Sequence, residues 1–389
     1  MMNAQEIQDT YIAPTYGSRG LTITKGQGIY LYDDQGNKYI DCMSNFGVNI
    51  LGHNVKKINE AVNKQMQNLT NLHGSFVNDQ RSLFAQKLVE IAPGNLSKVF
   101  FCNSGAEAIE AAIKFAVLTT GKHEFISAKM GYHGKTTGAL GLTNTLPKYK
   151  KPFNEVLINA KSFSYNDIES LKEAITDNTA AIFLEVIQGE SGIRLGQKEF
   201  FKSVQKLCNE KNILLIIDEI QTGMGRTGKL FATEHFDIQP DMITLAKGIC
   251  AGIPAGALLI NDKVSDKLYN GCHTNTFGGN PLISASGIAT LDYIEQNNLL
   301  QNATEVGQYF IDELKKIDSE LIREIRGMGL MIAIELKTKC SKYAKMLQEK
   351  GLLVIPTGAT VLRFLPPIIF SKENVDETTK IINSVLKAN

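Results

Sequence analysis

Residues 213–230 read ILLIIDEIQTGMGRTGKL. An unbroken apolar run ends in Asp218-Glu219, and a glycine-rich stretch follows. Continuous rather than alternating hydrophobicity marks a strand covered on both faces, as in a parallel sheet packed between helices. From Gly223 the stretch has the G-x-x-x-x-G-K spacing of a nucleotide-binding loop. That loop needs Ser or Thr after its lysine to hold Mg²⁺, and here the position is Leu230. The following LFATEHFD has no helical stripe, although such a loop opens a helix. A nucleotide triphosphatase is therefore disfavoured, and Asp218 still needs a partner. A carboxylate at the end of an apolar strand is poorly hydrated unless a cation or N–H meets it.

Working outward, short β-rich runs alternate with helical patterns from about residue 55 to 290. KVFFCN (98–103), HEFISA (123–128), EVLINA (155–160), TAAIFLEVIQ (179–188), DMITLAK (241–247) and AGALLIN (255–261) read as strands. GAEAIEAAIKFAVLTTG (105–121), closed by Gly121, and KEFFKSVQKLCNEKN (198–212) read as helices. This is the pattern of a mixed, mostly parallel α/β sheet, in which ligands sit at the carboxyl ends of the strands. Residues 1–54 carry short strands and turns and are expected to join a smaller α+β domain over 291–389. Residues 55–290 form the large domain.

The chain has 389 residues, 43% of them hydrophobic, and a formal net charge of +1. No charge excess points to nucleic acid or a membrane surface. The six cysteines are scattered without a C-x-x-C pair, so neither a zinc site nor a disulfide framework is expected. No metal is expected elsewhere. The amino terminus lacks the pattern of a secretory signal, no apolar run is long enough to span a bilayer, and a cytoplasmic protein is expected.

Four strand-end features form a constellation. Ser104 and Gly105 open the helix after KVFF, where unpaired backbone N–H groups make an anion site. Tyr132, between Gly131 and the His133-Gly134 pair, could lie flat on a planar ring. Asp218 could hold a pyridine nitrogen protonated, making the ring an electron sink. Lys247 ends an apolar strand among small neighbours, where desolvation keeps its amine neutral and nucleophilic. Each has a plainer reading, as a helix cap, a tight turn, a turn-capping Asp or a surface lysine. Their joint order is far more specific.

With FFCNSGAEAIEAAIKFA, GYHGKTTGAL, FLEVIQGESG, IIDEIQTGMGRTGKL, TLAKGI, HTNTFGGNPL, REIRGMGLMIAIEL and VLRFLPP, the chain resembles the class III (ω-amino) pyridoxal-phosphate aminotransferases of fold type I. The resemblance runs from about Thr15 to the carboxyl terminus. It implies pyridoxal 5'-phosphate, with Lys247 as the Schiff-base lysine and Asp218 on the pyridine nitrogen. Ser104, Gly105 and Ala106 become the phosphate cup, Tyr132 and Ile220 the two ring faces, and Gln221 the neighbour of the phenolic oxygen. His133 joins the cofactor residues. Thr276 resembles the hydroxyl that reaches the neighbouring subunit's phosphate, which implies a homodimer with shared active sites. Glu190 and Arg363 resemble the pair that lets one pocket take both an ω-amino donor and glutamate, with Lys135 and Phe46 also on the substrate side. Ping-pong transfer to 2-oxoglutarate follows.

The nearest branch is that of acetylornithine, including relatives that act on ornithine or lysine attached to an amino-group carrier protein, in arginine or lysine biosynthesis. One residue departs: those enzymes usually carry arginine where this chain has Lys135, and lysine cannot make the bidentate fork. Lysine there also occurs in putrescine-type relatives, so putrescine, ornithine and 4-aminobutyrate remain alternative donors. The glycine run 223–228 is expected to be a demanding loop near the dimer interface.

Overall fold

A computed structural model describes residues 2–387. The central sheet has seven strands, in the order Leu96–Cys102, Gly256–Asn261, Met242–Leu245, Leu214–Asp218, Thr179–Leu184, Glu124–Ala128 and Ala160–Phe163. Gly256–Asn261 runs antiparallel to both its neighbours, and the remaining pairings are parallel. Every residue of Thr179–Leu184, Leu214–Asp218 and Met242–Leu245 is buried, which explains their unbroken apolar sequences. Each fully buried Ile, Leu or Phe side chain there contributes about 1.5–3 kcal/mol relative to exposure.

The helix Gly105–Thr120 packs on this sheet and ends with Gly121 at φ 67°, a left-handed cap that glycine adopts without strain. Lys198–Lys211 buries Phe200, Phe201, Val204 and Leu207 on one side. Residues 155–160 do not form the expected strand. Pro152 opens a 3₁₀ turn over Lys151–Val156, and pairing begins only at Ala160. Proline presets a turn-compatible φ and lacks the N–H a ladder requires, so the apolar alternation misled.

A second sheet, Ile322–Met328, Met331–Leu336, Val361–Phe364 and Ile355–Thr357, is wholly antiparallel. The amino-terminal strands Ile23–Gln27, Tyr30–Asp33 and Lys38–Asp41 extend through Leu352–Leu353, which pairs in parallel with Lys38–Asp41. The strands within residues 23–41 are thus stitched to the carboxyl-terminal region. The helix Pro281–Gln296 runs unbroken across position 290. Among the described residues, no helix is long and apolar enough to cross a membrane.

The glycine run is a demanding loop, with Met224, Gly225 and Gly228 at φ 61°, 91° and 91°. Residues 221–228 are all buried within the single chain. Arg226 is fully buried and donates through Nη1 to the carbonyls of Leu330 (3.0 Å) and Pro366. The loop is therefore an internal seam against the carboxyl-terminal region of its own chain.

Candidate active site

The parallel strands release their chains at one edge of the central sheet, and a cavity of about 400 Å³ opens there. Ser104, Gly105, Ala106, Tyr132, His133, Lys135, Glu190, Asp218, Ile220, Gln221 and Lys247 all line it. They come from five separate strand ends, so the sheet topology alone gathers them.

Ser104 caps the helix Gly105–Thr120 and accepts from the Glu107 amide at 3.2 Å. Among the described residues, the amides of Gly105 and Ala106 have no acceptor. The helix therefore points two free N–H groups and its positive dipole end at the cavity. Glycine at 105 is a matter of space: a Cβ there would lie 2.7 Å from Ile220 Cδ1.

Asp218 is held from three sides. Its Oδ1 accepts from the Ile220 amide at 3.0 Å and from Thr244 Oγ1 at 3.3 Å. Its Oδ2 lies 2.7 Å from His133 Nδ1, and both groups are buried. Burial works against an imidazolium at His133, but the hydrogen bond and charge of Asp218 outweigh it and raise the pKa above 6.5. The His133 ring thus fixes the orientation of the Asp218 carboxylate.

Lys247 follows the strand Met242–Leu245 at φ 43°, an uncommon backbone state for a residue with a side chain. Among the described residues, its Nζ makes no hydrogen bond or ion pair. Burial lowers its pKa below 10.5, against the opposing pull of Glu190. A strained, desolvated and unpaired amine is poised as a nucleophile.

Arg363, from the strand Val361–Phe364, is fully buried and does not itself line the cavity, but it reaches two residues that do. Its Nη2 donates to Glu190 Oε1 at 2.7 Å, and its Nη1 to Gln221 Oε1 at 3.1 Å. Burial penalises the Glu190 carboxylate, but the Arg363 charge, backed by Lys247 and Lys135, holds its pKa below the usual 4.5. Phe46 does not line the cavity; its ring covers the Arg363 guanidinium with 5.5 Å from Cζ to centroid. The ring is delivered by a left-handed turn in which Ser44, Asn45 and Phe46 all have φ between 45° and 58°. Two donations to Asp41 Oδ1, from the amides of Met43 and Ser44, pin that turn.

Two expected residues are exposed, one on the cavity lining and one outside it. Lys135 sits at the cavity edge, exposed, with its Nζ 4.4 Å from the centroid of the Tyr149 ring. Thr276 is exposed and outside the cavity of its own chain. Its loop is latched by Asn275, which donates to Phe101 O at 2.7 Å.

Glu185 was not singled out in the sequence. Its carboxylate lines the cavity and accepts from the amides of Tyr132 (2.8 Å) and Gly189 (3.1 Å). Burial pushes its pKa up to about 7, partly offset by the His133 charge. An acid inside the apolar run FLEVIQ was the available signal. Glu219, likewise buried, accepts from Thr233 N and Oγ1, both at 2.6 Å, and anchors the turn that presents Ile220 and Gln221.

Comparison with known proteins gives this site its context. The LysW-aminoadipate semialdehyde transaminase of Deinococcus radiodurans is 41% identical over 379 residues, 97% of this chain and 88% of that protein. The acetylornithine aminotransferase of Methanocaldococcus jannaschii is 41% identical over 388 residues, 98% and 97% of the two chains. Among solved structures, the ornithine aminotransferase of Toxoplasma gondii ME49 superposes with a TM-score of 0.95 at 31% identity, covering 100% of this chain and 96% of that one. Another structure of the Toxoplasma gondii enzyme is described by partial occupancy of PLP at its active site. The family model for class-III aminotransferases matches residues 11–386. Full-length identity and a strand-edge cavity lined by a buried amine and acid lead to one conclusion: the chain belongs to the class-III aminotransferases.

Proposed function

We propose that this enzyme moves the terminal amino group of an N-acylated ornithine- or lysine-type substrate to 2-oxoglutarate, in arginine or lysine biosynthesis. Its cofactor is pyridoxal 5'-phosphate, and the residues present fit that group. Two unpaired amides at a helix start suit a phosphate, a buried acid suits a ring nitrogen, and an unpaired amine suits an aldehyde. Bound there, the cofactor supplies an electron sink for the substrate carbon next to nitrogen.

The chain's own groups do the rest. Lys247 Nζ, its pKa lowered by burial, holds the cofactor and, once displaced by the incoming amine, moves a proton at the substrate carbon. Asp218, oriented by Thr244 and His133, keeps a proton on the ring nitrogen. Tyr132 and Ile220 are suited to clasp the ring, and Gln221 to sit at its oxygen-bearing edge. The observation that carries the substrate reading is the buried Arg363 paired to Glu190. With Glu190 on Arg363, an uncharged ω-amino arm meets a neutral wall. With Glu190 turned away, Arg363 clamps the carboxylate of glutamate or 2-oxoglutarate. The resemblance to a carrier-linked transaminase adds an amino-group carrier protein as the form in which the donor arrives.

A homodimer in the cytoplasm fits the remaining features. Phe277, Phe76 and Val77 are exposed on neighbouring loops joined by Arg81, which donates to Gly279 O, Phe76 O and Leu72 O. Such an apolar face beside Thr276 suits a second copy of the chain that shares the site. All six cysteines are unpaired, which suits a reducing compartment.

The test is a half-reaction panel of N-acetylornithine, carrier-linked lysine, ornithine, putrescine and 4-aminobutyrate, read by conversion of bound cofactor to its aminated form. The N-acylated or carrier-linked donors should react fastest. A strong preference for putrescine overturns the proposal, and the exposed Lys135 would then mark a donor without a carboxylate.

A further inference from the structure

We propose that Arg326 is a positioning residue that holds the Glu190 loop against Arg363 and so sets the enzyme's discrimination between ω-amino donors and glutamate. This rests on the reading of Glu190 and Arg363 above. In the antiparallel sheet, Arg326 pairs with Ala333, and Ala333 pairs with Arg363. Directly opposed residues share a face, so two arginines stand side by side with only a methyl between them. Both reach the same loop. Arg363 takes the Glu190 side chain. Arg326 takes the backbone two and three residues on: Nε donates to Gly192 O (2.9 Å) and Ile193 O (3.1 Å), and Nη2 to Gly192 O (2.7 Å). Its Nη1 turns the other way, to Glu324 (2.6 Å) and Glu335 (2.7 Å), so every nitrogen of the guanidinium is engaged.

The loop so held is strained. Ile193 is fully buried at φ 57°, and Gly192 has φ 93°. A β-branched residue in the left-handed region is a backbone outlier that persists only where its surroundings enforce it. Gly192 could not be larger: a Cβ would lie 2.9 Å from Val361 Cγ2 and 3.2 Å from Arg326 Nη2. The Gly192 amide closes the turn onto Gly189 O at 3.2 Å, leaving Glu190 at its tip. Arg326 does not line the cavity. Its part is to keep the turn in the one conformation that presents Glu190 to Arg363. Without it the loop relaxes, the pair weakens, and Arg363 stays charged toward an ω-amino donor while remaining open to glutamate.

The experiment follows the two half-reactions separately in Arg326→Gln, by stopped-flow of the cofactor spectrum with N-acetylornithine and with glutamate. The ratio of kcat/KM for N-acetylornithine to that for glutamate should fall by about tenfold, the scale of one or two charge-assisted hydrogen bonds. Arg326→Lys, which keeps the charge but not the fork, should fall part of the way and guards against a variant that does not fold. In the cofactor-free protein, amide hydrogen exchange of the 189–193 segment should rise in both. An unchanged ratio, an equal loss in both half-reactions, or unaltered exchange overturns the positioning role. Failure of the unmodified enzyme to accept any ω-amino donor would instead defeat the substrate reading itself.

Discussion

The two sheets contribute to one site in opposite ways. The central sheet supplies Ser104, Tyr132, Asp218 and Lys247 from its strand ends, each within a few residues of a buried apolar run. Those groups are placed by their own strands. The carboxyl-terminal sheet supplies Arg363 from within a strand, and Arg363 works only through Glu190 and Gln221, 173 and 142 residues away in sequence. On the proposed reading, chemistry common to all transamination is placed locally, and choice among substrates is set across the seam between the two sheets. Arg226 spans that seam from the other side, joining the turn after Asp218 to the carbonyl of Pro366, three residues beyond Arg363.

If the central sheet carries the chemistry, its variants should be the most damaging. Lys247→Ala removes both the covalent anchor and the proton carrier, and turnover should fall by at least about 10⁴-fold. The near-ultraviolet or visible band of the lysine-bound cofactor, which borohydride reduction normally fixes to the protein, should be absent. Near-normal turnover would defeat the assignment. Asp218→Asn keeps the shape but loses the charge that faces His133 and, on the proposed reading, the ring nitrogen. A loss of about a hundredfold is expected, together with weaker cofactor retention on dialysis. An unimpaired kcat would show that the ring nitrogen is not met by Asp218.

Legibility followed the same division. Asp218 and Lys247 could be read because strand hydrophobicity, burial and an unpaired polar end are local signals. Ser104 is the helix cap of its plainer reading, and that cap leaves the next two amides free, as the proposed phosphate cup requires. The 155–160 segment misread because Pro152 sets a turn that apolar alternation cannot reveal. For the glycine run, sequence showed a demanding loop but could not show that residues 330 and 366 close over it. Glu185 escaped notice because its role depends on amides 53 and 4 residues away. Its raised pKa gives a direct check. The folded value is about 7 against 4.5 for an ordinary Glu, so its protonation stabilises the folded state fully below pH 4.5, and that contribution is lost as pH rises through about 7. In cofactor-free protein, Glu185→Gln should therefore gain stability over the parent between those values, by up to about 3 kcal/mol. Parallel pH–stability curves would mean that Glu185 ionises normally.

The smallest effect should come from the substrate-selecting sheet. Arg363→Lys preserves a positive charge opposite Glu190 but replaces the fork that now reaches Glu190 and Gln221 together. A lysine ammonium is a point charge and cannot clamp a carboxylate bidentately. The loss is one charge-assisted hydrogen bond, so KM for glutamate should rise by about tenfold while kcat stays within a fewfold. N-acetylornithine should change less, because in that half-reaction the Glu190 carboxylate needs only a cation to neutralise. A fall in kcat as large as that of Asp218→Asn would erase the division between the sheets, since Arg363 would then belong to the chemistry. An unchanged KM for glutamate would leave Arg363 a buried structural ion, and the selecting carboxylate site would have to lie elsewhere around the cavity.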